Sequence, residues 1–598
     1  MLRYLLITGF VLSLVHPLNA QSLRTKVDEV IAIADRLITE ESNFKTAERY
    51  ARAAFDHVIS FAPDTEPDLF IDTAAALRLI EQVSESGDDA VRIYGYLKKN
   101  TKLARAIAFT VSTQDTLPRV YALLDAMQRK HGDRLNDYAN LVAAICVVHD
   151  KMLTIRVNEN RVKAPDPLAL LDYFMRNEKQ MLFGIKNVPP ELLVHVVNCT
   201  SPIDQMQWAL SRYRGNTRIG RTFFDIQYDW DHLRNGTPKA VTQQGYSLPN
   251  IAKLGGVCAD QAYFASMVGK SIGVPTAVAA GQSGTSGHAW VGYLEARGKR
   301  GSWNFNVGRY RAYQGVRGMT LDPQTRKKIP DSYVSLTAEY IDTDRKDRYA
   351  AIAWTDAVLR MIQIAERGRR LPTQSPVPGV TQQRTVSASD RLDLLKLALS
   401  KSPGNALAWL TVAYSASRGE LSLADKRTWA RELERLCGKR YPDFSLDILI
   451  PMIAGEVNVD RQDDLWEVAF NMFTDRSDLA AEVRMHQGMM WAKAGNFKRA
   501  GKCYEDITTR FANAGPFVIS ALLQTEDLLR EMNQSDKVLR LYAQTWARIS
   551  KPQDINPAFK RYSNWYKVGT LYVDRLRKAG LTEQANRTTT LIDKTIGE

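Results

Sequence analysis

The chain has 598 residues, 45% of them hydrophobic and 24% charged, the values of an ordinary globular protein of three or four domains. Its 80 basic residues against 66 acidic ones give a net charge of +14, which favours anionic surroundings such as cell-envelope polymers or acidic protein substrates. No basic run with interleaved aromatics marks a nucleic-acid site, so the charge reads as a diffuse, solvated surface.

Residues 1–20 read as an export signal. Arg3 supplies the positive start, Tyr4 to Val15 the apolar stretch, and Pro17 breaks it before a small Ala20 at the cleavage position. That apolar stretch is too short to span a bilayer comfortably, and no other stretch is long and apolar enough. The expectation is an exported chain, periplasmic or secreted, with no transmembrane segment after signal removal. The five cysteines, Cys146, Cys199, Cys258, Cys437 and Cys503, form no CxxC pair, and their odd number leaves at least one thiol free. Cys258 is the natural candidate, the other four packing as buried hydrophobes.

Residues 21–200 read as a helical domain. Val27, Val30, Ile31, Ala34, Leu37 and Ile38 follow a helical stripe, as do Leu69 to Val83, Leu117 to Met127 and Leu135 to Met152. Pro165, Pro167 and Pro189-Pro190 punctuate a connector into the core. Asp204 to Tyr213 reads as a helix, and Thr222 to Asp231 as a strand with Phe223, Ile226, Tyr228 and Trp230. Asn250 either donates to a developing oxyanion or caps a turn.

The most informative stretch is Gly255 to Tyr310. Gly255-Gly256 frees the chain to turn sharply into a helix whose first turn carries Cys258 and which Gly273 and Pro275 stop. A thiol there sits in the positive end of the helix dipole, which favours the thiolate. Thr276 to Ala280 reads as a strand and Gly281 to Gly287 as a flexible connection, not a phosphate loop, because no Lys-Ser/Thr follows. His288 to Leu294 alternates as a strand, and Trp303 to Val307 is another with Asn304 and Asn306 on one face. A Cys on a helix, a His on a strand and an amide on the next strand is the order that a Cys–His–orienting-residue triad requires.

Gly-Gly-Val-Cys, a helix ending Gly-Val-Pro, Gly-His-Ala-Trp-Val and a Trp-led strand resemble the catalytic core of the transglutaminase-like superfamily. The tight match covers about a tenth of the chain. The resemblance implies a papain-type α+β core in which Cys258 is the nucleophile and His288 the base. The superfamily's third residue is usually Asp shortly after the Trp; here Asn306 stands first, Asn304 next, and Asp322, in an Asp-Pro pair, third. No cofactor or metal is implied.

After the core (201–335), a helix from Leu336 to Glu366 leads into a Pro-, Gln-, Ser- and Thr-rich linker, Arg367 to Ser389, the two making up residues 336–389. Residues 390–598 read as helical again. Ser402 to Leu410 resembles the entry of a tetratricopeptide unit, and Met489 to Ala500 with Cys503-Tyr504 the turn between its helices. The expected architecture is therefore predominantly helical α+β: a transglutaminase-like core between an N-terminal helical domain and a tetratricopeptide-like α-solenoid. The resemblance implies an exported thiol enzyme that cleaves or transfers acyl groups at amide bonds of peptides or proteins, hydrolysis favoured, with a possible protein partner at the C-terminal repeats. The alternative is a catalytically inactive scaffold that binds proteins through its helical repeats.

Overall fold

The computed structural model describes residues 23–62, 65–283, 286–297, 300–310, 313, 316–368, 370–372, 383–552 and 560–597. The expected export segment lies outside them, as do residues 373–382 of the expected linker. The protein is predominantly helical with small antiparallel sheets, an α+β fold.

The N-terminal helices, Phe44–Ser60, Pro67–Val83, Thr101–Thr110, Leu117–His131 and Ala139–Val148 among them, bury their apolar stripes in one continuous core. One element there departs from the helical expectation. Strands β1 (Thr154–Val157) and β2 (Asn160–Lys163) form a hairpin whose turn is made by Asn158 at φ 51°, a conformation that Asn tolerates.

The central sheet is wholly antiparallel. It contains β3 (Thr276–Ser283), β4 (Ser286–Arg297), β5 (Arg300–Asn304), β6 (Met319–Leu321) and β7 (Lys328–Pro330), in the order β5-β4-β3-β6-β7. The flexible connection expected over Gly281 to Gly287 is largely strand, with Gly281 paired to His288 and Ser283 to Ser286. Its Gly, Gln and Ser residues lack an apolar period to announce it. Side chains alternate across the sheet. On one face Ala289 and Val291 pack on Ala262 and Ala265 of the Cys258–Ser271 helix, with Phe223 filling the remaining space. On the other face Trp290 packs with Ala277, Ala279, Phe305 and Tyr313. The small alanines let helix and sheet approach closely, which brings the first turn of the helix beside β4.

The long helix expected from Leu336 to Glu366 is broken into Asp331–Leu336, Glu339–Asp342 and Arg345–Glu366, the last capped by the Asp344 carboxylate. It joins both flanks. Arg78 and Arg360, from opposite sides of the packing, pair with Asp356 and Asp56 at 2.7 and 2.8 Å. Toward the C-terminus, Asn405 Nδ2 donates to Thr355 Oγ1 at 2.9 Å. Linker residues Leu371 and Pro372 pair with Arg384 and Gln383, and Leu371 is fully buried, so its one large apolar side chain anchors that end. Beyond it come successive helices, from Ala388–Lys401 to Thr582–Ile596. Among the described residues no helix is long and apolar enough to cross a membrane. Four cysteines are buried and Cys258 alone is partly exposed; all five are free.

Candidate functional site

Cys258 is the first residue of its helix, and the two glycines before it are there for steric reasons. Gly255 has φ 79°, and a Cβ on it would lie 2.4 Å from the Gln227 carbonyl oxygen; one on Gly256 would lie 2.5 Å from Asp260 Cβ. The chain passes so closely because Gly256 N–H donates to Gln227 and Asp229 N–H donates to Gly256, both at 3.0 Å. This single parallel bridge, Tyr228 with Gly256, replaces the strand expected over Thr222 to Asp231. A 3-10 turn, Ile219–Asp225, precedes it and a short helix, Trp230–Asn235, follows. Pairing cannot extend further, because the partner segment turns into the Cys258 helix. The bridge sets the Tyr228 phenol beside Cys258, whose charge raises the phenol's pKa after burial does, while the Cys258 backbone N–H acts in the opposite sense.

The helix start is held by a buried ionic network. The Asp260 carboxylate accepts from Val257 N–H (2.8 Å), the Tyr246 hydroxyl (2.8 Å) and Lys239 Nζ (2.8 and 3.0 Å). The Lys239 and Asp260 side chains are both wholly buried, and Glu159 of the unforeseen hairpin reaches Lys239 at 3.1 Å. Asp260 thus takes the place of the missing cap side chain on Val257.

The same carboxylate bears on the thiol. Helix-dipole reasoning favours a thiolate, but the Cys258 thiol is pushed above its ordinary value, first by burial and further by the Asp260 charge. The N–H groups of Ala289 and Ala259 oppose this without overcoming it. The expectation of a low thiol pKa is therefore corrected: the site is buried, and Asp260 answers the positive helix end before the thiol can.

His288, on β4, stacks on Tyr310 with ring centroids 4.5 Å apart and lies 4.8 Å from Tyr313. Tyr310 is itself raised in pKa by burial and then by the Cys258 charge, so the ring that stacks on the imidazole also neighbours the thiol. His288 Nε2 sits 2.6 Å from the Gly308 carbonyl oxygen. A carbonyl only accepts, so Nε2 carries the proton and Nδ1 the lone pair. Burial lowers the His288 pKa, and the Gly308 carbonyl offsets this only in part. At neutral pH the pair rests as thiol and neutral imidazole.

The orienting partner is therefore a backbone oxygen, not the expected amide. β5 ends at Asn304, leaving Asn306 past the strand and exposed, its N–H donating to Asn304 Oδ1 at 2.9 Å. Asn304 Nδ2 donates to Glu295 at 2.9 Å and to the Tyr293 hydroxyl. Asp322 is spent on its own turn, accepting from the N–H groups of Gln324 and Thr325. Asn250 binds the carbonyls of Gln244 and Gly245, the turn-capping role. Asn306→Ala is accordingly expected to change the His288-dependent alkylation rate of Cys258 by less than about twofold, since no orienting bond is lost; a fall approaching that of His288→Ala would restore the amide to the triad.

Tyr310 and Gly308 are residues that sequence reasoning passed over, and Tyr228 it read only as one residue of an expected strand. The glycine acts through its backbone, which no residue pattern signals, and the tyrosines stand in turn-rich segments. Among the described residues, no group of three or more His, Cys, Asp or Glu side chains could hold a metal ion. Compared with known families and with curated proteins, the chain matches no family model and no curated protein.

Proposed function

We propose that this protein is an exported thiol enzyme of transglutaminase-like kind that hydrolyses amide bonds of peptides or proteins through a thioester on Cys258. The observation that carries the reading is the Nε2 contact of His288: with Nε2–H committed to Gly308, Nδ1 keeps the lone pair, and Tyr310, which stacks on the ring, also neighbours the thiol. In this reading His288 Nδ1 takes the Sγ proton as the sulfur attacks the amide carbonyl. The oxyanion is met by Cys258 N–H and the Tyr228 hydroxyl. His288 then returns the proton to the leaving amine. Water, losing its proton to the same nitrogen, converts the thioester to acid and restores the thiol.

The finer architecture belongs to the same proposal: a papain-like core between an N-terminal helical domain and tetratricopeptide-like repeats that hold a protein partner. The inactive-scaffold alternative keeps one observation on its side, the raised thiol pKa.

The deciding experiment is iodoacetamide alkylation of Cys258 against pH, read by mass spectrometry. A neutral pair acting by general base catalysis gives two rises. The first comes where His288 loses its proton, below its ordinary 6.5, and opens a plateau. The second comes where the thiol ionises, above its ordinary 9.0. His288→Ala is expected to lower the plateau by roughly 10²-fold, the usual worth of a general base, and to leave the upper rise. A plateau absent from the wild type would leave the scaffold reading standing.

A further inference from the structure

The segment that orients His288 is tied to the C-terminal helices. Arg309, the residue after the Gly308 carbonyl, lies over the Trp290 ring at 5.0 Å. Its guanidinium donates to the carbonyls of Tyr313 (3.1 Å) and Val316, closing the segment on itself, and it stands 3.8 Å from the buried Asp331 carboxylate. Tyr310 and Tyr313, on the same segment, are the rings against His288. The next residue after Val316 leaves the core altogether. Arg317 pairs with Asp447 at 2.6 Å and with Glu482 at 3.1 Å, on the helices Pro442–Ala454 and Ser477–Lys493. Ser332 donates to the same Asp447 at 3.3 Å, and Tyr333 packs edge-on against Phe444 at 5.2 Å. Both carboxylates are close to nine-tenths buried, so these bonds are screened far less than a surface pair.

We propose that Arg317 is a positioning residue for His288: its bridge to Asp447 and Glu482 holds the Gly308 carbonyl and the Tyr310 and Tyr313 rings in place, so the C-terminal helices complete the site. The proposal rests on the thiol-enzyme reading. A binding module merely appended to the core would not need its buried carboxylates to hold the segment that carries the histidine's only orienting bond among the described residues. Sequence separation hides the relation, since Arg317 and Glu482 are 165 residues apart.

The test uses the full chain and the same pH profile, with the four buried cysteines as internal reporters of folding. In Arg317→Ala the His288-dependent plateau at Cys258 is expected to fall roughly tenfold, the scale of a displaced catalytic group, while the upper, thiolate-driven rise is kept. Cys146, Cys199, Cys437 and Cys503 stay unreactive. Arg317→Lys, which can still reach one carboxylate, recovers part of the plateau. A loss by general loosening would instead make the buried thiols react. Should Arg317→Ala do that, Glu482→Gln, which removes the charge that this buried carboxyl carries above about 7 and keeps an acceptor, serves in its place and is expected to lower the plateau about threefold above that pH. A plateau that persists unchanged in the folded variant overturns the proposal alone. A wild type without any His288-dependent plateau overturns the thiol reading and this proposal with it.

Discussion

Asp260→Ala is expected to cost up to about 3–5 kcal/mol of stability, because it leaves the wholly buried Lys239 ammonium with only the partly exposed Glu159 carboxylate as counterion. The same substitution strips the acceptor from the buried Val257 N–H and from the half-buried Tyr246 hydroxyl. Lys239→Met alone leaves Asp260 with those donors and is expected to cost less, and the double variant to lose clearly less than the two single losses added. Denaturant midpoints of all three variants measure this, and simple additivity would show that the pair is not coupled. The carboxylate has a second consequence, of opposite sign. Its negative charge raises the Cys258 thiol pKa, so Asp260→Asn favours the thiolate and moves the upper rise of the alkylation profile to lower pH. A less stable protein with a more acidic nucleophile is the expected combination. Asp260 therefore secures the geometry of the site at the expense of thiol acidity, which leaves the proposed mechanism dependent on His288 as base.

How much of this could be read from residues alone depends on whether a side chain or a backbone group acts. The Cys258 helix was legible because Gly255-Gly256 and Gly273 bound it and its apolar residues recur at helical spacing. The β4 strand was legible because His288, Trp290 and Gly292 alternate with Ala289, Val291 and Tyr293 about a sheet that buries both faces. The bond that fixes the imidazole was not, because it ends on the Gly308 carbonyl and any residue carries a carbonyl. Asn304 and Asn306 were the wrong place to look for a local reason: the strand ends at Asn304, so period two no longer governs Asn306. Lys239 and Glu159 were invisible for another reason. They lie 21 and 101 residues before Asp260, and a charged residue in a polar stretch reads as solvated surface until packing shows its partner, as it does for the wholly buried Lys239. The helical majority carries a strong period of 3.6, and so its existence was plain even where its breaks, as at Leu336 and Asp342, were not.

The largest pH effect is expected from Lys270, at the other end of the Cys258 helix. Its ammonium is wholly buried and donates to the carbonyls of His195 and Thr276, both at 2.5 Å, and to Asn198 Oδ1 at 2.6 Å. It thereby pins the helix end to β3 and to the Pro190–Val197 helix. No carboxylate is among these partners, and burial pulls the Lys270 pKa down from 10.5 to about 7. Below pH 7 the lysine is protonated whether the chain is folded or unfolded, and the folded state bears the full cost of the buried charge. Between about pH 7 and 10.5 the unfolded chain still holds a proton that the folded one has released, so stability rises with pH; above 10.5 the cost is gone. Across that window the gain amounts to about 4 kcal/mol. Lys270→Met removes both the charge and the slope, and leaves three acceptors without donors at every pH, at about 1–3 kcal/mol. The two stability curves should therefore cross: near pH 6 the variant is as stable as the wild type or more so, and near pH 10 the wild type, whose neutral amine still donates two bonds, is the more stable. Urea midpoints of both proteins between pH 6 and 10 test this through their difference, which cancels the titrating groups that Lys270 does not touch, His195 and Cys199 being the two whose values it lowers. A difference that stays constant over that range would mean that the carbonyl cage keeps Lys270 charged, with its ordinary pKa restored by the three bonds.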